Sequence, residues 1–120
     1  MSPGIRSTSP RSTAARRRKY APVFAALGDE TRLAIVAQLS EGERRSIATL
    51  TEGTSLTRQA VTKHLRVLER ARIVHSVRSG REHLFELDPA PIREASEYAE
   101  LVSAHWDKAL SRLKAMVERD

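Results

Sequence analysis

The chain has 120 residues, no cysteine and a formal charge of +6. One domain is expected at this length. The absence of cysteine excludes disulfides, thiolate metal sites, thiol redox sensing and cysteine nucleophiles, and it fits a reducing cytoplasm.

The charge is unevenly placed. Residues 1–19 hold six basic residues (Arg6, Arg11, Arg16, Arg17, Arg18 and Lys19) and no acid, so the other 15 of the 21 basic residues face all 15 acidic ones. Residues 20–120 are therefore formally neutral. The first 19 residues lack the apolar pattern of a core and read as a disordered basic tail. They contain no signal-peptide core, and Pro3 and Pro10 interrupt any amphipathic targeting helix. Nothing in the chain approaches a membrane span. "ARRRKY" reads either as an arm adding phosphate contacts or as a solubilising leader.

From Tyr20 the pattern turns helical, with Val23, Phe24 and Leu27 on one face. It breaks at Gly28-Asp29, where Asp29 suits an N-cap. The second helix carries Leu33, Val36, Ala37 and Leu39, with Ile35 flanking, and stops near Gly42. A short third helix, about 46–52, offers Ile47 and Leu50; "EGTS" then turns, with Gly53 free to take positive φ. A fourth helix begins at Thr57, a second N-cap. Its inner face is Val61, Leu65 and Leu68, and its outer face is Arg58, Gln59, Thr62, Lys63, Arg66, Glu69 and Arg70. His64 reads as a packed or capping histidine. Two helices joined by a short glycine-containing turn fit a helix-turn-helix.

After Ala71 the apolar period becomes two. "IVHSVRSGREHLFEL" reads as a strand, a Ser79-Gly80 turn and a second strand with His83, Phe85 and Leu87 alternating. A hairpin directly after a helix-turn-helix is a wing, and Arg78 and Arg81 flank its tip. Arg58 to Arg81 contains seven basic residues and one acid, Glu69, so the neutral domain is locally basic here. The last helix, residues 89–120, starts at Pro89 and Pro91. Ile92, Ala95, Ala99, Val102, Trp106, Ala109, Leu113 and Met116 follow at alternating spacings of three and four, a heptad seam. Leu101, Leu110 and Val117 widen it. A core this small cannot cover so long a stripe, so a partner subunit is expected. The fold class is mainly α with a small β-hairpin: a winged helix-turn-helix, residues 20–120, with a long C-terminal dimerisation helix.

Catalysis finds no support. There is no G-x-S-x-G elbow, no glycine-rich phosphate loop and no H-E-x-x-H. His64, His75, His83 and His105 do not pair at ligand spacing. His75 and His83 are expected to face each other as a cross-strand pair, and His105 and Asp107 do not share a helix face. No metal, cofactor or enzymatic activity is expected. Double-stranded DNA is the expected partner. Gln59 suits adenine, Arg58 or Lys63 suits guanine, and Thr57 and Thr62 suit a phosphate or a thymine methyl. Arg66 and Arg70, a turn or two further on, suit the sugar-phosphate backbone, and Arg78 and Arg81 join the DNA-binding set from the wing tip. The alternative is a winged-helix module for protein contacts.

"FAALGDETRLAIVAQL", "LTRQAVTKHLRVLERARIV" and "SGREHLFEL" together resemble the ArsR/SmtB-like winged-helix repressors over about residues 20–120. The resemblance implies a homodimer formed by the first helix (about 20–28) and the last (about 90–119). It assigns the interface to Phe24, Ile92, Ala99, Val102, Trp106, Leu110, Leu113 and Val117. It also implies a fourth helix reading a palindromic operator, with repression relieved by a small-molecule or protein inducer. Metal sensing is not implied, because "SIATLTEG" stands where metal-sensing members carry cysteines. Many relatives have "A-G-L-V" after the reading helix; here it is "A-R-I-V", with Arg72 in the glycine's place.

Overall fold

The computed structural model describes the backbone of residues 3–119 and the side chains of residues 13–119. The elements run α1 (Pro3–Leu27), α2 (Glu30–Leu39), β1 (Arg45–Ser46), α3 (Ile47–Glu52), α4 (Arg58–Arg70), β2 (Val74–Ser79), β3 (Glu82–Leu87) and α5 (Ala90–Glu118). Among the described residues these are five helices and a three-stranded antiparallel sheet of order β1-β3-β2. This is a winged helix-turn-helix with a long terminal helix.

The helix starts are where the short polar residues place them. Asp29, Ser46 and Thr57 cap α2, α3 and α4, each accepting from the amide three residues on, Arg32, Thr49 and Ala60. At the other end of α4 the chain turns through a left-handed residue. Ile73 N–H bonds Leu68 C=O at 2.9 Å, and Arg72 N–H bonds Glu69 C=O at 3.0 Å. That pair of bonds is a Schellman motif. Its left-handed position, φ 64°, is held by Arg72. Ile73, the next residue, is fully buried.

The core gathers Val23 and Ala26 of α1, Ile35 and Leu39 of α2, Leu50 of α3, and Val61, Leu65 and Leu68 of α4. Ile73, Val74, Phe85 and Ala95 complete it. The inner face of α4 is the one its period predicts. That of α2 differs: Ile35 and Leu39 are buried, Val36 is half-buried, and Leu33 and Ala37 are exposed. "LAIVAQL" is apolar almost all round, so period alone does not choose the buried side.

Four further expectations change. α1 passes through Tyr20 without a break, so Arg16 to Lys19, expected in a disordered tail, are helical; residues 1 and 2 lie outside the described residues. Gly53 has φ −82°, not a positive value. Its lack of a side chain matters for space instead, since a Cβ there would stand 2.5 Å from Gln38 Nε2. The hairpin turn is Gly80-Arg81, one residue later than read, because Ser79 pairs with Glu82. Gly80, with φ 63°, takes the first central position, where a tight hairpin needs positive φ. Finally, His75 pairs across the hairpin with Glu86, and His83 with Arg78, so the two histidines do not face each other.

The first turns of α5 pack on α1. Tyr20 and Tyr98 rings lie 5.6 Å apart, and Lys19 reaches Glu94 at 3.7 Å. Ala95 is buried and Ile92 packs on the core. Past Tyr98 the helix leaves the domain. At about 1.5 Å per residue the 29-residue α5 is about 43 Å long, and its outer half touches no core. Trp106 is 64% and Leu113 57% exposed, with Leu101, Leu110, Met116 and Val117 also open.

Candidate nucleic-acid interface

α3 and α4 form the helix-turn-helix, and the capped end of α4 is its most polar part. Thr57, Arg58 and Gln59 are all exposed there. Thr57 Oγ1 accepts from Ala60 N–H at 3.1 Å, so its side chain is partly committed to the cap. Thr62 is half-buried and donates its hydroxyl to Arg58 C=O at 2.7 Å, leaving only its acceptor capacity free. Lys63 and Arg66 are exposed on the same outer side. Across a cleft of about 440 Å³, Thr62, Arg66 and Glu69 of α4 face His83 of the wing. Arg78 and Arg81 are exposed near the wing tip, around the Gly80-Arg81 turn.

Ion pairs elsewhere join Arg44 to Glu86 (3.1 Å), Arg45 to Glu41 (2.7 Å), Lys19 to Glu94 (3.7 Å) and Lys114 to Glu118 (3.9 Å). Arg58, Lys63, Arg66, Arg70, Arg72, Arg78 and Arg81 have no side-chain ion pair or hydrogen bond among the described residues. Three acids stand in the same region, Glu69 on α4 and Glu82 and Glu86 on β3, but none forms an ion pair with these seven cations. The cations there keep their full attraction for an anion.

Arg32, unremarked in the sequence reading, locks α4 into place. Its Nε donates to Ala26 C=O at 2.6 Å, a carbonyl at the end of α1, and its Nη2 donates at 3.4 Å to Ala25 C=O, which also accepts from Gly28 N–H. Its Nη1 lies 3.2 Å from His64 Nδ1 on α4. Asp29 Oδ2 is 3.8 Å from the same ring nitrogen. "GDETR" therefore ties α1, α2 and α4 at one point. A cation in the first turn of a helix opposes the helix dipole, and that was the available signal for a special role.

The Arg32 N–H bond holds the Asp29 carboxyl below its ordinary value of 3.8, with smaller help from the charges of His64 and Arg32. A carboxylate with a depressed pKa adds stability above that ordinary value and loses it as pH falls through and below it. Asp29→Ala is expected to lower the urea midpoint at pH 7, and the gap to the native chain is expected to narrow as pH falls below the ordinary carboxylate range, because the charge's share of the cap is lost. A gap that does not change with pH would show that the carboxylate's charge plays no part.

The apolar residues assigned to an interface separate into two groups. Ile92 is half-buried against its own core. Phe24, Ala99, Val102, Trp106, Leu110, Leu113 and Val117 are exposed. Among the described residues no group of three or more His, Cys, Asp or Glu gathers to hold a metal ion, and no helix is long and apolar enough to cross a membrane.

Comparison with known proteins supplies the family. A helix-turn-helix domain family matches residues 27–77, the stretch from the end of α1 into the wing. The chain is 39% identical over 77 residues to the HTH-type transcriptional regulator YuzN of Bacillus subtilis (strain 168), covering 59% of this chain and 84% of that one. An ArsR-like transcriptional regulator from Rhodococcus sp. RHA1 superposes with a TM-score of 0.74 at 33% identity, over 85% of this chain and 95% of that one. The same fold, at 22% identity and a TM-score of 0.63 over 84% of this chain and 93% of that one, occurs in a homodimeric winged helix-turn-helix DNA-binding domain from Mycobacterium bovis. The chain belongs to the ArsR-like winged helix-turn-helix transcriptional regulators.

Proposed function

We propose that the protein is a homodimeric, sequence-specific DNA-binding repressor that holds a palindromic operator with α4 and the wing of each protomer. The carrying observation is the set of seven cations on α4, its exit and the wing, exposed together and without a side-chain partner among the described residues. In this reading Gln59, with Arg58 or Lys63, reads base edges from the N-terminal end of α4. Thr57, whose hydroxyl proton is free, fixes phosphates with Arg66, Arg78 and Arg81, while Thr62, its proton spent on Arg58 C=O, offers its methyl group to a thymine. The exposed face of α5, with Phe24 of α1, meets the same face of a second copy, as the homodimeric relative supports. Two reading helices then enter successive major grooves about 34–36 Å apart. The protein works by affinity, not turnover, in the cytoplasm and away from membranes, and an inducer releases it. Residues 1–19 serve as an arm on flanking phosphates.

The experiment is a gel shift on the DNA upstream of the protein's own gene, across salt concentrations. Affinity is expected to fall steeply with salt as counterions are released. Arg58→Ala and Gln59→Ala should each cost about 1–3 kcal/mol and relax the base preference at one position. A flat response would remove that residue from the base-reading set. Failure to shift any genomic fragment at low salt would pass the function to the protein-contact alternative. Removing residues 1–18 should weaken non-specific binding and reduce the salt slope; unchanged binding would leave the segment as a leader.

A further inference from the structure

The corner where α4 ends and α5 begins encloses a cavity of about 540 Å³ against α1. It lies apart from the capped end of α4, and its size is that of a small-molecule site. Tyr20, Pro22, Val23, Ala71, Ala90 and Pro91 supply apolar surface, and the remaining lining is polar or charged.

The acids of that lining already have partners. Glu94 faces Lys19 at 3.7 Å. Asp88 accepts from Ala90 N–H at 3.0 Å and lies 3.1 Å from His75 Nε2. The Ala90 bond, then the His75 contact, keep its carboxyl below the ordinary 3.8. Arg70 and Arg72 are the remainder: both line the cavity, both are exposed, and neither side chain has a partner among the described residues. Arg72 also holds the left-handed position, φ 64°, that glycine would fill without strain. A strained residue at a cavity wall is a common mark of a ligand site.

We propose that this cavity is an effector site for a small organic carboxylate carrying an aromatic or branched aliphatic group. The Arg70 and Arg72 guanidinium groups take the carboxylate, and the apolar group lies on Tyr20, Val23 and Pro91. A monoanion fits better than a phosphate dianion, because Asp88 and Glu94 stand close by. The site joins α1, the end of α4 and the start of α5, so an occupant can alter the angle between the reading helix and the long helix. That last consequence rests on the proposed DNA-binding function; the binding itself does not.

The test is calorimetric titration of the full chain with benzoate, phenylacetate and isovalerate, against neutral benzamide and inorganic phosphate. At least one carboxylate is expected to saturate one site per chain, at least about tenfold tighter than benzamide and phosphate. Arg72→Gly and Arg70→Gln should each weaken it about ten- to a hundredfold. Arg72→Gly should also melt at a higher temperature than the native chain when unliganded, so its lost affinity is not lost folding. The proposal is overturned if no carboxylate saturates, if benzamide or phosphate binds as tightly, or if Arg72→Gly binds like the native chain. A gel shift without carboxylate reads DNA binding separately. Intact carboxylate binding with no DNA shift would sink only the repressor reading. Weaker DNA binding by both variants, with no carboxylate uptake by the native chain, would make the two arginines phosphate contacts and end the proposal.

Discussion

Trp106→Glu combined with Leu113→Glu is expected to turn a dimer into a monomer and to lower affinity for a two-half-site operator by about a hundredfold or more. Both side chains are more than half exposed on the outer half of α5, two turns apart on one seam. Apolar stripes of this length are rare on monomers and mark contact surfaces. Burying a large apolar side chain contributes roughly 1.5–3 kcal/mol, and two-fold symmetry makes each change act twice. The inner core does not use either residue, so folding should survive. Light scattering reads the mass, circular dichroism the fold, and a gel shift the affinity. A double variant that stays dimeric, or is monomeric yet binds the full operator like the native chain, would refute the role given to α5.

Leu65→Ala is the second large effect, expected to cost about 2–5 kcal/mol of stability. Leu65 is buried on α4, packed in the core shared with α2, α3 and the sheet. Small domains have only about 5–15 kcal/mol in total, so the variant should unfold over tens of degrees less heating or not fold at 37 °C. Leu65→Met, which keeps the volume, should cost less than about 1.5 kcal/mol. Urea melts of both variants check the pair. A loss from the methionine change as large as from the alanine change would mean that shape, not burial, governs the site.

What the sequence disclosed depended on how far each signal reached. The caps at Asp29, Ser46 and Thr57 are local chemistry, and two of them, Asp29 and Thr57, were readable as caps. The stripe of α4 is apolar on one side only, so its buried face could be named residue by residue. α2 is apolar nearly all round, and its buried face is decided by α4 and β3, which no local pattern records. β1 is two residues long, Arg45–Ser46, and exists only because Phe85 and Leu84 lie opposite. The Arg32 contacts reach from α2 to α1 and α4, beyond any periodicity. The cations of α4 and the wing that are proposed to meet DNA were legible as residue types, because surface charge is written directly in the chain; the structure adds that they are exposed.

The wing has a consequence for how the molecule meets a duplex. Only Gly80 and Arg81 stand outside its ladder, and β3 is bonded on its other side to β1, which leads straight into α3. There is no slack in that strip. The distance between the polar tip of α4 and the arginines of the wing is set by the protein's own frame, so in the proposed complex it is the double helix that must bend or change its groove width to fit.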